Sequence, residues 1–563
     1  MRLKRKGLKL LALFLGLSLV TAACGSDDDE GSEGNDGSTE TTEAGGDTVA
    51  GGDFIDLGTV VGDPLEHIDP ALNSTLDAYQ IINAVYDGLT DIDATDPDNP
   101  EIVPHVAESF EANEDATVWT FKIREGQAFA GGEEILPSTF KKSWERAAAL
   151  GGDYSYLLGF VEGGEAALDP ESDHTLSGVV ADDEAMTLTV TLSSPYSNFP
   201  AVAGFQLFMP VPEEAIAAGA DWENQVMFGN GPYKLEAARN DQEIKLVKNE
   251  EWNGDFNQET WDDRLDTITF RTSADPDTSY NAFEAGEGHN ANIPPARVAD
   301  VEATYGNTLD VNILGSYHWI MDTEEGVLGG DENIKLRQAI SAAVNRDEIN
   351  EAVYNGSRTT ATGVTPAGIP GAAPDLCEYC TYDPEQAQAL FDEWKAEGNE
   401  LTEPIPLQFN ADAGHEPVAA IVVDNLKAIG IEAVAEPMNG ETYFSDLADG
   451  ACKAMCRAGW FADYPTYDNF MFDLFHSDSI GGNNLGPFSN EEFDALVDEA
   501  KQTTDTAKQA DLFQQAEKIL LNDDTGVVPM NWYRGDYAYS DDIARFPQTN
   551  FGLILWEQVA FAK

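Results

Sequence analysis

The hydrophobic positions along this chain recur with two different periods. Apolar residues at helical spacing over 75–89 and 334–344 predict amphipathic helices. Alternating apolar and polar residues over 118–123 and 186–192 predict strands with one buried face. Because segments of both kinds follow one another in mixed order, the pattern predicts a body of α/β lobes built from discontinuous segments.

The beginning of the chain has a different pattern. Residues 1–23 carry basic side chains followed by an apolar run that is too short to cross a bilayer, which is typical of a signal peptide. Cys24 follows directly after Ala22 and Ala23, and this arrangement resembles the lipobox of bacterial lipoproteins, in which the cysteine thiol is acylated. The alternative is an ordinary secretory peptide with an incidental cysteine. We expect a lipid anchor at Cys24.

The composition then restricts the partners. Residues 24–53 are mostly glycine, serine, threonine and acidic residues, which predicts an extended acidic linker. The whole chain has 31 Lys and Arg against 102 Asp and Glu, a formal net charge of −71. This charge excludes nucleic acid as a partner and opposes direct binding to anionic membranes. Any attachment to a membrane is therefore expected through the lipid anchor only.

The sequence lacks the usual signatures of catalytic and metal sites. It contains no HExxH, GxSxG, Walker A or GxGxxG motif, and its seven histidines are far apart along the chain. We therefore expect no metal site, no cofactor and no enzymatic activity.

Four cysteines beyond the leader form two close pairs, Cys377 with Cys380 and Cys452 with Cys456. Four thiolates could bind zinc, and a CxxC pair could serve redox chemistry, but an extracytoplasmic location favours structural disulfides. Three connectivities are open to four cysteines, and we favour the two local pairs.

Several phrases resemble, in the same order, those of the extracytoplasmic solute-binding proteins of ABC transporters, family 5 (the peptide/nickel class). They lie at 102–110, 121–129, 231–234, 336–339 and 382–387. The chain is thereby identified as a member of this family, and the resemblance covers nearly the whole body, from about residue 58 to 535.

The resemblance implies a periplasmic-binding-protein-like α/β fold of type II (cluster C), with two lobes, a hinge and an extra domain. The expected division is lobe I at 54–89, 210–313 and 531–563, the extra domain at 90–209, and lobe II at 314–530. Ligand would lie between the lobes, which close over it.

The run from Arg457 to Pro465 resembles a segment of the oligopeptide-binding members of the family. The resemblance implies that Asp463 pairs with the α-ammonium group of a peptide and that Arg457 can bind the carboxylate of a short one. The backbone around Gly459, Trp460 and Phe461 would pair with the peptide main chain. The alternatives are a surface salt bridge for Arg457 and a turn role for Asp463.

Three further residues match family positions less specifically. His415 maps close to a histidine that can meet the peptide carboxylate, although a lone histidine is more often a surface or helix-cap residue. Leu76 belongs to a segment of lobe I whose backbone touches peptide. Tyr156 matches a tyrosine of the extra domain that lines the cleft, although tyrosine is equally common in half-buried cores.

We therefore expect a monomeric, lipid-anchored receptor on the outer face of the cell membrane that delivers oligopeptides to an ABC-transporter permease. A receptor of the same fold for a nickel chelate, haem, glycan or opine is the first alternative. A chaperone or signalling receptor that uses the same cleft is a second, and an extracytoplasmic peptidase is a remote third.

Overall fold

The computed structural model describes residues 48–62, 65–93, 100–254, 262–411, 414–440 and 442–563. The predicted signal peptide, the predicted anchor Cys24 and the linker up to residue 47 lie outside these ranges. Among the described residues, no helix is both long and apolar enough to cross a bilayer.

The described residues form short strands and two long ones. The strands are β1 (Thr48–Val49), β2 (Asp53–Asp56), β3 (Thr90–Asp93), β4 (Glu101–Pro104), β5 (Ala107–Ala112), β6 (Val118–Ile123), β7 (Val179–Asp182), β8 (Thr187–Thr191), β9 (Tyr233–Leu235), β10 (Glu243–Lys248), β11 (Thr267–Arg271), β12 (Asn290–Asn292), β13 (Thr308–Met321), β14 (Thr359–Thr360), β15 (Ile405–Asn410), β16 (Ala433–Met438), β17 (Met455–Phe461), β18 (Val527–Tyr539), β19 (Ile543–Arg545) and β20 (Ala560–Ala562).

Helices separate most of these strands. They are α1 (Leu76–Val85), α2 (Pro137–Leu150), α3 (Gly164–Ala167), α4 (Phe199–Ala203), α5 (Glu213–Ala218), α6 (Pro276–Glu284), α7 (Val298–Thr304), α8 (Ile334–Ala343), α9 (Arg346–Tyr354), α10 (Pro384–Ala396), α11 (Glu416–Ala428), α12 (Tyr443–Ala448), α13 (Asp468–Phe475), α14 (Glu491–Gln502) and α15 (Thr506–Lys518). A 3₁₀ segment, Asp153–Phe160, follows α2.

One large sheet runs through most of the molecule in the order β16-β15-β17-β13-β18-β12-β2-β11-β10-β9, with β14 also paired to β18. A four-stranded sheet, β5-β6-β8-β7, lies inside the predicted extra domain. Two small sheets, β3-β4 and β1-β20-β19, complete the set among the described residues. Since β1 pairs with β20, residues 48–53 belong to the folded body, although the sequence pattern assigns them to the linker.

The long strands β13 and β18 connect the two halves of the large sheet, and their antiparallel pairing is interrupted twice, between Asn312 and Ser316 and between Tyr317 and His318. Asn312 pairs with Arg534 and Ser316 pairs with Trp532, so three residues of β13 face the single residue Tyr533 of β18. The backbone of Leu314 bonds elsewhere, accepting from Ala462 and donating to Asn550. Such a bulge bends the strand and disrupts the ladder locally.

The extra domain illustrates how the hydrophobic pattern builds a core. Helix α2 buries Phe140, Trp144 and Ala147, which share one helical face because they are spaced by four and three residues. They pack in one cluster with Phe121 of β6 and Leu188 of β8 on the buried face of the four-stranded sheet. Alternation along β6 and β8 leaves their other face more accessible to water.

Candidate ligand-binding site

Strand β17 and the turn after it carry the run that the sequence analysis singled out. The strand pairs antiparallel with β13, so that Arg457 faces Trp319 and Gly459 faces Tyr317. On its other side β17 pairs with β15 only at Met455 and Cys456. Within the described residues, the edge of β17 from residue 457 onward therefore has no strand partner on that side.

Asp463 lies just beyond the end of β17 and is partly buried. Its Oδ1 accepts a hydrogen bond from the hydroxyl of Tyr154, which belongs to the 3₁₀ segment Asp153–Phe160, at 2.9 Å. Its Oδ2 lies 3.3 Å from Nδ2 of Asn469, which belongs to α13. Burial raises the pKa of Asp463 to about 6, and the two hydrogen bonds oppose this rise.

Asn469 holds this corner of the site in place. It is fully buried, and its Oδ1 accepts from the indole Nε1 of Trp460 and from the backbone N–H of Asp463, both at 3.0 Å. Its amide group also donates to Asp473 at 2.9 Å. Asn469 thereby connects the Trp460 ring to the turn that contains Asp463.

Arg457 is buried, and its guanidinium lies over aromatic rings. The guanidinium carbon is 5.0 Å from the centre of the Tyr317 ring and 6.0 Å from that of Phe444. Its Nη2 is 3.4 Å from the hydroxyl of Tyr533. A Cβ at Gly459 would lie 2.5 Å from that hydroxyl, so a side chain at this position would displace Tyr533.

His415 is buried beside the same aromatic group, at the start of α11. Its Nδ1 lies 3.3 Å from the hydroxyl of Tyr317. Burial and the positive charge of Arg457 lower the pKa of His415 to about 2, so the imidazole is neutral at physiological pH. It can therefore serve a ligand as a hydrogen-bond partner but not as a cation.

Three of the predicted residues are exposed. The ring of Phe461, 49% exposed, stacks on Tyr533 with 4.6 Å between ring centres. Tyr156 is 40% exposed, and its ring centre is 6.4 Å from that of Tyr154, which places it near Asp463. Leu76 is 36% exposed at the first position of α1, beside Gly552.

The structure thus brings Asp463, Trp460 and Tyr156 together at one end of the run, and Arg457, Gly459, Phe461 and His415 at the other. Sequence reasoning missed the residues that hold them. Asn469 and Tyr154 support Asp463, and Tyr317 and Tyr533 support Arg457. Only Asn469 is close in sequence, and no local motif marks the other three.

Both local cysteine pairs are disulfides in the structure. The S–S distances are 2.07 Å for Cys377–Cys380 and 1.99 Å for Cys452–Cys456. The second bridge includes Cys456, which directly precedes Arg457 on β17. No group of three or more His, Cys, Asp or Glu that could hold a metal ion occurs among the described residues.

The family model of the bacterial extracellular solute-binding proteins, family 5 (middle part), matches residues 101–482. This chain belongs to that family. The family 5 match spans the whole of β17, the Asp463 turn and α13.

A family 5 relative with a curated description is the oligopeptide-binding protein OppA of Bacillus subtilis strain 168. It is 25% identical over 494 residues, which cover 84% of this chain and 87% of the relative. Solved structures extend the comparison. The murein tripeptide-binding protein MppA of Escherichia coli has a TM-score of 0.72 at 21% identity, covering 92% of this chain and 99% of the other.

A second solved structure is Haemophilus influenzae OppA in complex with the peptide RPPGFSPFR. Its TM-score is 0.69 at 23% identity, covering 92% of this chain and all (100%) of the other. These matches confirm the predicted fold class, the two-lobed type II α/β fold of periplasmic binding proteins with an extra domain.

Proposed function

We propose that this chain is an extracytoplasmic receptor that captures oligopeptides and delivers them to the permease of an ABC transporter. The observation that carries the proposal is the environment of Asp463. Its carboxylate lies between Tyr154 of the extra domain and Asn469 of lobe II, next to a strand edge without a partner. No covalent bond is made or broken in this function.

Asp463 suits an ammonium partner for electrostatic reasons. A carboxylate has about four lone-pair positions, and the two hydrogen bonds from Tyr154 and Asn469 leave room for more. Because burial makes its charge costly, a bound cation that replaces the lost water is strongly favoured. The α-ammonium group of a peptide provides such a cation together with three donors.

The edge of β17 suits the main chain of the same peptide. Backbone groups between residues 457 and 461 can pair with an added strand, which gives affinity with little dependence on side chains. Arg457, at the other end, would receive the carboxylate. Six residue steps separate Arg457 from Asp463, so their Cα atoms are at most about 20 Å apart, a span that suits peptides of a few residues.

The proposed division of the chain into two lobes and an extra domain is consistent with capture of the peptide by closure of the lobes. We propose lobe I at 54–89, 210–313 and 531–563, the extra domain at 90–209 and lobe II at 314–530. The boundaries at 313/314 and 530/531 fall inside β13 and β18, the long strands that connect the halves of the large sheet. Closure over the peptide would remove water from Asp463 and strengthen its charge pair.

Calorimetric titration of free and N-acetylated tri- to pentapeptides tests the proposal. Removing Asp463 in the variant Asp463→Ala leaves a buried, unpaired ammonium, so we expect a loss of about 3–5 kcal/mol, or two to four decades in affinity. Acetylation of the peptide should cause a similar loss in the wild type. The two losses should not add, because each breaks the same pair.

The variant Asp392→Ala is the matched control, since Asp392 is an exposed carboxylate on α10 that pairs only with Lys395 and Gln388. Its affinity for free peptides should equal that of the wild type. If free and acetylated peptides bind the wild type equally well, Asp463 is not the anchor, and a non-peptide cargo of the same fold becomes the better proposal.

We also propose that the receptor is held at the outer face of the membrane by lipid on Cys24 and works as a monomer. The support is the lipobox-like Ala22-Ala23-Cys24 sequence and the acidic linker after it. The variant Cys24→Ala should move the protein from the membrane fraction to the soluble fraction. A variant that stays with the membranes would contradict the anchor.

A further inference from the structure

A second guanidinium group lies beside the candidate site, and no motif in the sequence points to it. Arg358 follows α9 and directly precedes β14. Its guanidinium carbon lies 5.4 Å from the centre of the Tyr533 ring and 5.5 Å from that of Tyr354. Tyr533 is the residue whose hydroxyl lies next to Arg457.

The two arginines approach Tyr533 from opposite directions across the strands of one sheet. Neighbouring strands run in the order β17, β13, β18 and β14 over this region. Arg457 on β17 extends over Tyr317 of β13 toward Tyr533 of β18. Arg358 reaches the same tyrosine from the β14 side. The guanidinium groups of Arg457 and Arg358 therefore both lie next to the Tyr533 ring. This ring is at the Arg457 end of the run, opposite Asp463.

Arg358 keeps unused donors. Its Nη1 donates to the backbone oxygen of Arg534 at 2.8 Å, while its Nε has no hydrogen-bond partner among the described residues. No described carboxylate lies within 4.0 Å of its guanidinium. The nearby Asp536 is in direct contact with Arg534, at 2.7 Å, and the charge of Arg358 acts on Asp536 from a greater distance.

Arg358 differs from the nearby Arg534 in having no carboxylate in contact with it among the described residues. Such a partner would be expected, because this chain has more than three acidic residues for each basic one. Arg534 is paired at 2.6 Å with Glu302 as well as with Asp536. Arg358 lies on tyrosine rings without such a pair. Stacking on aromatic rings leaves the edge of a guanidinium available for a carboxylate.

We infer that Arg358 is a specificity residue that binds a second carboxylate at the carboxyl end of the ligand. With the α-carboxylate at Arg457, the second carboxylate is the side chain of a carboxyl-terminal Asp or Glu. This inference rests on the proposed function and names its preferred substrate class, peptides that end in an acidic residue.

The test compares peptides that differ only in this last side chain. Wild-type protein is titrated with Ala-Ala-Glu, Ala-Ala-Ala-Glu and Ala-Ala-Ala-Ala-Glu, and with the same peptides ending in Gln. Because Glu and Gln have nearly the same shape, the ratio of affinities isolates the charge. We expect the Glu peptide to bind about tenfold more tightly at the length that binds best.

The variant Arg358→Met keeps an apolar stem over the rings and removes the charge. It should reduce the affinity for the Glu peptide about tenfold and leave the Gln peptide unchanged. Arg358→Lys should retain part of the preference. Arg297→Met is the matched control, because Arg297 also lies over a tyrosine ring but is paired with Glu284. It should leave both peptides unaffected.

The outcomes separate this inference from the proposed function. If Glu and Gln peptides bind the wild type equally, and acetylation still abolishes binding, Arg358 has no such role although the peptide receptor stands. If neither series binds the wild type at any length, the proposed function fails and the inference with it. The wild-type comparison requires no variant, so a poorly folded Arg358→Met protein would not prevent a decision.

Discussion

The hydroxyl of Tyr196 lies 2.5 Å from Oδ2 of Asp468, so a tyrosine of the proposed extra domain holds a buried carboxylate of the proposed lobe II. Asn198 donates to the other carboxylate oxygen at 2.6 Å. Ser197, between them, donates twice to the backbone oxygen of Lys501. Tyr154, which donates to Asp463, belongs to the same proposed extra domain, so the position of that domain would affect the candidate site.

We expect the variant Tyr196→Phe to destabilise the protein by about 1–3 kcal/mol. The substitution removes one hydrogen bond to a buried carboxylate and provides no substitute. Urea denaturation at neutral pH measures the change. Tyr382→Phe is the control, since Tyr382 is 41% exposed and should tolerate the change. Equal stability of the two variants would show that the Tyr196–Asp468 contact carries no stabilisation.

Peptide affinity should fall as the pH is lowered below about 6. An ammonium group binds Asp463 only when the carboxylate is ionised, and burial raises the pKa of that carboxyl to about 6 in the free protein. Protons therefore compete with the ligand below this pH. We expect binding about tenfold weaker at pH 5 than at pH 7, measured by calorimetry with a free peptide. In Asp463→Asn this pH dependence should be lost, and an unchanged slope in that variant would contradict the assignment.

The unliganded protein should become more stable as the pH falls from 8 to 5. Burial raises the folded-state pKa to about 6 for Asp56 and Asp463 and to about 7 for Asp77 and Glu557. Between the unfolded and folded pKa values the folded state binds more protons, so the free energy of unfolding decreases as the pH rises through this window.

A rise in melting temperature of about 5 °C from pH 8 to pH 5 is expected for the unliganded protein. Scanning calorimetry at several pH values measures it. In the variant Asp77→Asn, which cannot ionise at this position, the rise should be smaller. A melting temperature that falls on acidification over this range would contradict the prediction.

The bridge between Cys452 and Cys456 should contribute modestly to stability because it closes a very short loop. The variant Cys452→Ser/Cys456→Ser should lose about 2 kcal/mol of unfolding free energy, most of it through the greater freedom of the unfolded chain. The pair Cys377 and Cys380 provides a matched comparison with a similar expected loss. Mass spectrometry after alkylation without reduction checks the pairing, and free thiols in the wild type would contradict it.

The local pattern of hydrophobic and polar residues was sufficient to predict many of the helices and strands. Strand β6 coincides with the predicted 118–123, because its alternating residues bury one face. Helix α1 begins after Thr75, whose side chain caps it, but ends at Val85 rather than at residue 89, because Tyr86 is extended. Strand β2 ends at Asp56, whose side chain accepts from the N–H of Thr59 and turns the chain.

The site was predictable only where it is contiguous in sequence. The run that contains Arg457 and Asp463 is local, so its motif marks it. The partner Tyr154 is 309 residues from Asp463, and only the packing of the extra domain brings the two together. Arg358 lies in a short turn without a motif, and its closeness to Tyr533 depends on the pairing of β14 with β18.

The wider of the two interruptions between β13 and β18, from Asn312 to Ser316, has a mechanical consequence. Three residues of β13 face Tyr533 alone, and the backbone of Leu314 is bonded to other segments. A twist of one half of the large sheet against the other would be concentrated near Tyr533, where few hydrogen bonds between β13 and β18 oppose it. Phe461 stacks on Tyr533, and both arginines lie next to it. A peptide bound as proposed would contact one of the two interrupted parts of the connecting strands, so its carboxyl end would influence the angle between the halves of the sheet.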